Sequence, residues 1–466
     1  MSADPVGRRS GDPGSATGAP WAGRRMHLIG VGGAGMSAYA RAAHALGAQV
    51  SGSDRAPSPY LERLAADGVL EAAIGHDAAN LPPGDDLEVY YSSAVAPDNP
   101  ERVAARERGL AERPRADLLA ELTALRRTIA VAGAHGKTTT ASMLVHALRH
   151  AGLDPGWLIG ASAGGGLANA HWSAGEWLVV EADESDRSML ALRSEIAVLT
   201  NVELDHHATF GSEAELREAF RAFLSDAPQA VVWNRPDLLA LRAGPVAAFD
   251  VEDPVLGADG SRFHWRGREV QLAVPGAHNA LNAAAALEAA HLAGAPAAAA
   301  VDGLREFGGA GRRFQAVGAT ASGARVVDDY AHHPTEVAAT LAAARTLGPA
   351  RVIAVFQPHL YSRTARLAAE FGRALAGADV VVVLEVFAAR ERAEDHPGVS
   401  GLRVAEAAAD AAGGRPVLWL PGFDAAQRVL DGLLRAGDLC VVMGAGDVDV
   451  LARRLVAGAP AAEAAA

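Results

Sequence analysis

The sequence is short of several things, and each shortage excludes something. Cysteine occurs once, at Cys440. No disulfide can form within the chain, which excludes a disulfide-stapled secreted scaffold and fits a reducing cytoplasm. No apolar run approaches the ~18 residues that a membrane helix needs. The run Val380-Val381-Val382-Val383-Leu384 is strand-length and stops at Glu385. Positive charge is in deficit: 42 Lys and Arg against 55 Asp and Glu give a net charge of −13. A chain this acidic is a poor partner for nucleic acid or an anionic membrane, and must hold any anionic small molecule with a few local donors. The first 23 residues are rich in Gly, Pro, Ser and Arg and lack an apolar core, so they do not read as a secretory signal. Residues 1–23 and 459–466 are read as disordered tails.

Lysine is the scarcest charge. Of the 42 basic residues only Lys137 is lysine. Arginine has taken every other basic position, so Lys137 marks a place where a compact ammonium is needed rather than a planar fork.

What is present is ordinary globular material. Half of the residues are hydrophobic and 21% are charged, which excludes a disordered or collagen-like chain. The 466 residues suggest about three domains. The first third alternates strand and helix: Met26–Ile29, a Gly-rich turn, a helix through Ala38–Leu46, then strands near Gln49–Ser51 and Glu88–Tyr91. The middle third opens on strand Thr128–Val131 and a helix from about Thr138 to His150. Strands at Trp177–Val180, Ala197–Thr200 and Ala230–Trp233 follow, then an Ala-rich helix His278–Leu292. The last third repeats the alternation at Arg351–Phe356, Val380–Val386, Val417–Leu420 and Leu439–Met443. Strands alternating with helices imply parallel sheets with crossover helices. The expected domains are 24–125, 126–318 and 319–458.

Most of the informative clusters follow strands, the edge where open α/β sheets bind ligands. Gly30-Val31-Gly32-Gly33-Ala34-Gly35 fits GxGxxG between a strand and a helix, with Asp54 at the end of the next strand. That pattern lets backbone amides approach a diphosphate at a helix N-terminus, although a tight turn alone also explains it. Ala132-Gly133-Ala134-His135-Gly136-Lys137-Thr138-Thr139-Thr140 resembles a phosphate loop one glycine short, with Val131 where the first Gly belongs. Its amides can wrap phosphates, Lys137 can reach the β and γ oxygens, and the Thr138 hydroxyl can ligate Mg²⁺. Glu181-Ala182-Asp183-Glu184-Ser185-Asp186 puts four carboxylates at a strand end, a costly cluster unless a cation sits there. Thr200-Asn201-Val202-Glu203-Leu204-Asp205-His206-His207 can hold a metal or polarise a water, or be a surface His pair. The remaining clusters are His278-Asn279-Ala280-Leu281-Asn282, Gly308–Phe314 with Arg312 and Arg313, Asp328–Pro334, and Phe356–Arg363.

Taken together and in this order, these clusters resemble the Mur ligase family over His27 to Gly446. The carriers are GVGGAGMS, VSGSD, YYSSAV with DNP, VAGAHGKTTT, EADESD, the TN…DH pair, PGAHNALN, GRRFQ, VDDYAHHPTE, FQPHLYSRT, GVSG and GAGD. The resemblance implies a three-domain α/β fold: an N-terminal Rossmann-like UDP-binding domain, a central P-loop ATPase-like domain and a C-terminal Rossmann-like domain. Within the family it is nearest to the members that join L-alanine to the lactyl carboxylate of UDP-N-acetylmuramate. It then implies an acyl phosphate made from ATP, attack by the alanine amine, and loss of phosphate, as a cytoplasmic step of peptidoglycan precursor synthesis.

By the same resemblance, Gly133, Ala134, His135, Gly136 and Thr139 would cradle ATP, and Lys137 would stabilise the γ-phosphate in flight. Thr138 and Glu181 would hold one Mg²⁺ and His206 would help hold a second, with Mn²⁺ an alternative. Asn279 and Asn282 would lie on the adenine side, and Arg312 would reach phosphate from the hinge. Asp329, Tyr330, His332 and Arg363 would close over nucleotide and alanine from the third domain. Gly32, Gly33, Asp54 and Ser92 would hold the UDP-sugar. The expected partners are UDP-N-acetylmuramate, L-alanine and ATP, with the chain a monomer or homodimer. Two features bear on this. Leu360 stands where the family often has Arg after FQPH. No second lysine is available for the carbamylated, metal-bridging lysine of the later-acting ligases.

Other readings stay open at this point. A tripeptide-recycling ligase shares the scaffold but needs a roomier amino-acid pocket. A nicotinamide-dependent oxidoreductase would explain GxGxxG and Asp54, but leaves Lys137 and the EADESD run without a role. An inactive ATP-binding scaffold conflicts with the presence of every expected catalytic carboxylate and histidine.

Overall fold

The structure is a computed structural model and describes residues 19–205 and 209–457. The first unit is a parallel sheet of strands Arg25–Ile29 (β1), Gln49–Asp54 (β2), Ala73–Ile74 (β3), Leu87–Tyr91 (β4) and Ala111–Pro114 (β5). Its order is β3-β2-β1-β4-β5. The order reverses beside β1, and the crevice beyond its C-terminal end is where such sheets take ligands.

The middle unit holds Arg127–Ala132 (β6), Gly156–Leu158 (β7), Ala170–His171 (β8), Trp177–Glu181 (β9), Ile196–Leu199 (β10), Gln229–Trp233 (β11) and Ala247–Phe249 (β12). They are ordered β12-β11-β10-β6-β9-β7-β8, with β8 antiparallel to β7. Strand β6 lies between β10 and β9, parallel to both. The segments that follow these strands, Gly133–Gly136, Thr200–Asp205 and Ala182–Asp186, therefore emerge side by side at one sheet edge. A hairpin sheet of Val255–Gly257 (β13), Gly260–Trp265 (β14) and Arg268–Leu272 (β15) sits beyond. Its Phe263, Trp265, Val270 and Leu272 pack on the helices of the middle unit. The α/β alternation expected from the sequence does not include this sheet.

The third unit contains Gln315–Ala319 (β16), Arg325–Asp329 (β17), Arg351–Phe356 (β18), Val380–Val383 (β19), Val417–Trp419 (β20) and Asp438–Met443 (β21), ordered β16-β17-β21-β18-β19-β20. All neighbours are parallel except β16, which pairs antiparallel with β17. Strand β16 spans the division expected at 318/319, so the sheet of the third unit begins earlier. Its central strands are buried on both faces, which is why they read as unbroken apolar runs.

The units share core. One apolar cluster runs from Trp21 and Leu122 of the first unit to Ala130 and Leu241 of the middle unit. The helix Lys137–His150 packs along the Ala-rich helix Ala277–Leu292, whose small residues allow close approach. Among the described residues, no helix is long and apolar enough to cross a membrane.

Candidate active site

The loop after β6 is held in shape from β10. The Thr200 hydroxyl donates to the His135 carbonyl at 2.7 Å, and Asn201 both donates to that carbonyl and accepts from the His135 amide, each at 2.9 Å. Two glycines are obligatory. Gly133 has φ +131° and a Cβ there would lie 2.1 Å from Thr200 Oγ1. Gly136 has φ +83° and a Cβ there would lie 2.4 Å from Asn282 Oδ1. Helix Lys137–His150 starts directly after Gly136, so its free N-terminal amides and positive dipole end face the loop.

Lys137 folds back into this loop. Its Nζ donates to the Gly133 carbonyl at 2.6 Å and to both Glu184 oxygens at 2.9 and 3.1 Å. Burial alone would depress the ammonium, but Glu184 and Asp183 outweigh it and hold the proton on more firmly than usual. Glu181, at the end of β9, accepts from the Gly160 amide at 2.8 Å and bonds the Thr138 side chain. Burial raises its proton affinity despite these contacts and the nearby Lys137 charge.

The four carboxylates of Glu181–Asp186 bond to different partners. Glu181 faces Thr138, Glu184 neutralises Lys137, and Asp183 and Asp186 take Arg115 of the first unit at 3.1 and 2.6 Å. Arg115 is thus a strut between two units. Asn169 is a second tie, donating to the Ala34 carbonyl at 2.9 Å and to Ser37 Oγ at 3.1 Å.

The loop opens on a cavity of about 530 Å³ between the middle and third units. Trp233, Phe249 and Leu281 make its apolar wall, and Asn279, Asn282 and Asp329 supply polar groups. Asp329 accepts from the Phe314 and Ala331 amides, each at 2.7 Å, yet burial pushes its carboxyl up to about 6. His278 and His332 are each pushed down to about 4 by burial, so both are neutral at neutral pH. His135 goes the other way. Burial opposes its charge, but Glu336 and Glu203 on either side raise it to about 9.

Two arginines bond to protein partners. Arg312, expected to reach phosphate, spends its donors inside the third unit on Asp328 at 3.0 Å and on the Gly446 and Gly444 carbonyls, each at 2.9 Å. Its neighbour Arg313 lines the cavity instead. Arg363, expected to bind substrate, reaches the middle unit and grips Asp205 through both carboxylate oxygens. His332 lies beside it, its ring 5.4 Å from Tyr330 and 5.9 Å from His359. Leu360 is buried, with φ +70° at the start of helix Tyr361–Leu375.

In the first unit the Gly-rich turn is partly self-satisfied. The Gly32 amide donates to Asp54 Oδ2 at 2.8 Å, and Ser58 donates to the Gly32 carbonyl at 2.8 Å. The carboxylate at the end of β2 thus fixes the turn through that amide. Gly33 precedes helix Ala34–Ala45 with nothing nearer than 3.9 Å to the position of a Cβ. Ser92, after β4, bonds the Ile29 carbonyl through its amide at 3.0 Å and so stands beside the turn.

Three domain families cover almost all of this architecture in order. Residues 25–127 match the Mur ligase family catalytic domain, 131–290 the Mur ligase middle domain, and 312–446 the Mur ligase glutamate ligase domain. The chain belongs to the Mur ligase family.

Among relatives of this Mur ligase, the UDP-N-acetylmuramate–L-alanine ligase of Mycolicibacterium smegmatis is 44% identical, covering 92% of this chain and 93% of that protein. The enzyme of the same name from Kineococcus radiotolerans is 47% identical, covering 91% and 94%. The crystal structure of UDP-N-acetylmuramate-alanine ligase from Thermotoga maritima superposes with a TM-score of 0.78 at 26% identity, covering 92% and 98%. A murein peptide ligase from Psychrobacter arcticus has the same fold, with a TM-score of 0.69 at 24% identity over 93% and 98%.

The Mur ligase fold brings Gly133, Ala134, His135, Gly136, Lys137, Thr138, Thr139, Glu181, Asn279, Asn282 and Asp329 around one loop and cavity. Gly32, Gly33, Asp54 and Ser92 form a separate group in the first unit. His206 lies outside the described residues. Sequence reasoning misses Arg115, Asn169, Glu184, Asp205 and Arg313 as individual actors. Glu184, Asp205 and Arg313 carry one signal, their place inside the quoted clusters, whereas Arg115 and Asn169 carry none.

Proposed function

We infer that this Mur ligase joins L-alanine to the carboxylate of UDP-N-acetylmuramate, with ATP converted to ADP and phosphate, in making the peptidoglycan precursor. The observation that carries the ATP-dependent chemistry is the loop in which the sole lysine, Lys137, lies beside the paired Thr138 and Glu181 and opens on a cavity closed by the third unit. The alanine-adding ligases, at 44–47% identity over most of the chain, support the choice of acceptor and amino acid.

The residues fit a hard divalent cation. Thr138 and Glu181 offer two oxygen donors in mutual contact, and burial leaves the Glu181 charge under-compensated. Mg²⁺ held there would neutralise charge on the transferring phosphoryl group. The loop amides and the helix N-terminus bind the phosphates. Lys137 exchanges its Glu184 and carbonyl contacts for the γ-phosphoryl oxygens. The lactyl carboxylate takes the phosphoryl group, the alanine amine attacks the acyl phosphate, and phosphate leaves. No side chain of the protein becomes covalently bound. Positioning and charge stabilisation supply the acceleration. His332, buried and neutral, would close over the incoming alanine, whose ammonium releases a proton to become the attacking amine. His206 would serve a second cation, and Arg313 takes the phosphate-facing place expected of Arg312. ATP and a UDP-sugar as substrates suit a reaction in the cytoplasm.

The test is phosphate release from ATP with UDP-N-acetylmuramate and Mg²⁺, adding L-alanine or the preformed tripeptide in parallel. Release that requires L-alanine supports the reading. Release with tripeptide alone replaces it by a recycling ligase on the same scaffold.

A further inference from the structure

Outside the Thr138–Glu181 pair, a second group of ligand-type side chains converges where the middle and third units meet. His135 comes from the phosphate loop, Glu203 from the segment after β10, and His333 from the N-terminus of helix Pro334–Thr346. One ligand atom from each lies within 4.8 Å of the other two. His135 Nε2 is 2.9 Å from Glu203 Oε2, and His333 Nδ1 is 3.8 Å from the same oxygen. A tetrahedral ion with bonds of about 2.0–2.2 Å separates its ligand atoms by about 3.3–3.6 Å. The two Glu203–histidine distances, 2.9 and 3.8 Å, bracket that value.

The surroundings orient the same three atoms. His135 Nδ1 faces Glu336 Oε1 at 3.2 Å, the carboxylate–histidine relay that fixes a metal-binding imidazole. Thr335 Oγ1 donates to the other Glu203 oxygen at 2.7 Å, which leaves Oε2 toward the histidines. The Thr335 amide donates to His333 Nδ1 at 3.4 Å, a long contact that a bound ion would replace. Two imidazoles and one carboxylate suit zinc and its neighbours, whereas Mg²⁺ prefers an all-oxygen set. His135 and Glu203 also line the cavity, which leaves a fourth position for water.

We propose that His135, Glu203 and His333 form a binding site for a Zn²⁺-class transition metal that bridges the middle and third units. The bound ion ties the phosphate loop to the third unit. The site shares His135 with the phosphate loop but no residue with the Thr138–Glu181 pair, and its metal readout does not depend on turnover.

The probe is Co²⁺ added to the full-length protein in excess Mg²⁺, followed by displacement with Zn²⁺. Wild type is expected to develop the intense visible absorption of tetrahedral Co²⁺ and lose it stoichiometrically to Zn²⁺. His333→Ser keeps an N-cap acceptor but is expected to lose the band and weaken Zn²⁺ binding by at least ~10-fold. Glu203→Gln is expected to do the same, and decides the matter if His333→Ser does not fold. His264→Ala, on the exposed face of β14, leaves both readouts at wild-type values. Absence of the tetrahedral band in wild type, or its persistence in the folded cluster variants, overturns the proposal.

Discussion

The Arg363 guanidinium grips the Asp205 carboxylate at 2.7 and 2.8 Å across the boundary between the third and middle units, with both side chains buried. A planar fork matched to a carboxylate is the strong form of an ion pair. Buried, it sets orientation more than net stability, because removing either partner strands a charge. Arg363→Lys and Asp205→Asn are each expected to lower kcat by on the order of 100-fold, since a misplacement of about 1 Å has that effect on a positioned reaction. The double variant should be far better than the product of the singles. A mutant cycle on steady-state kinetics checks this, and additive losses would show that the pair does not act as a unit.

Lys137 and Glu184 form the other critical pair. Lys137→Ala is expected to abolish ligation, with kcat down at least ~100-fold, the usual loss for one donor aimed at transition-state charge. It also removes the ammonium bonded to the largely buried Glu184, so Lys137→Ala with Glu184→Gln is the cleaner probe of chemistry. Lys137→Arg should fail as well, because a planar fork does not fit a niche made of the Gly133 carbonyl and one carboxylate. Circular dichroism establishes that the variants fold, and phosphate release reads turnover. Near-normal turnover in a folded variant contradicts the assigned role.

Arg115 holds the first unit to the middle one through Asp183 and Asp186. Arg115→Ala leaves two like charges facing each other and removes the strut. The expected outcome is a rise of roughly 10-fold in KM for UDP-N-acetylmuramate, corresponding to about 1.4 kcal/mol, with the ATP affinity little changed. Hydrogen exchange should speed up across residues 183–188 and not in β18 or β21. Equal losses for both substrates would mean that Arg115 serves the whole core rather than the relation of two units.

Much of this architecture is legible in the order of the amino acids. The strands buried on both faces stand out as apolar runs, and glycine, lysine and carboxylate clusters fall where strands end. Pairing is not legible. Nothing in EADESD says that Glu184 serves Lys137 while Asp183 and Asp186 serve Arg115, because that division depends on a helix residue 68 positions earlier in the chain. Nor does GRRF say which arginine turns outward. Arg312 adopts φ +54° and folds back on Asp328, which leaves Arg313 at the cavity. The hairpin sheet β13–β15 is hard to see because its short strands lack the length and apolar continuity of the parallel ones. The spacing of Asp54 does not reveal that its carboxylate accepts the Gly32 amide at 2.8 Å.

A buried network in the first unit gives a pH-dependent prediction. Glu101 has no exposed surface and accepts from His27 at 2.8 Å, Ser53 at 2.7 Å, His76 at 2.9 Å and Asn80 at 3.1 Å. Burial would raise its carboxyl, but these four contacts outweigh it and hold the group down at about 2. A carboxyl that is more acidic folded than unfolded stabilises the fold above its unfolded value. That contribution disappears as pH falls from about 4.5 toward 2, and amounts to about 3 kcal/mol for a shift of this size. Glu101→Gln should therefore destabilise the first unit by about 3 kcal/mol at neutral pH, since an amide turns a donor toward donors. The gap from wild type should close as both are acidified toward pH 2. Hydrogen exchange of β1 and β2 amides measures the opening of this unit. A gap that stays constant with pH would mean that shape, rather than the charge of Glu101, holds the network together.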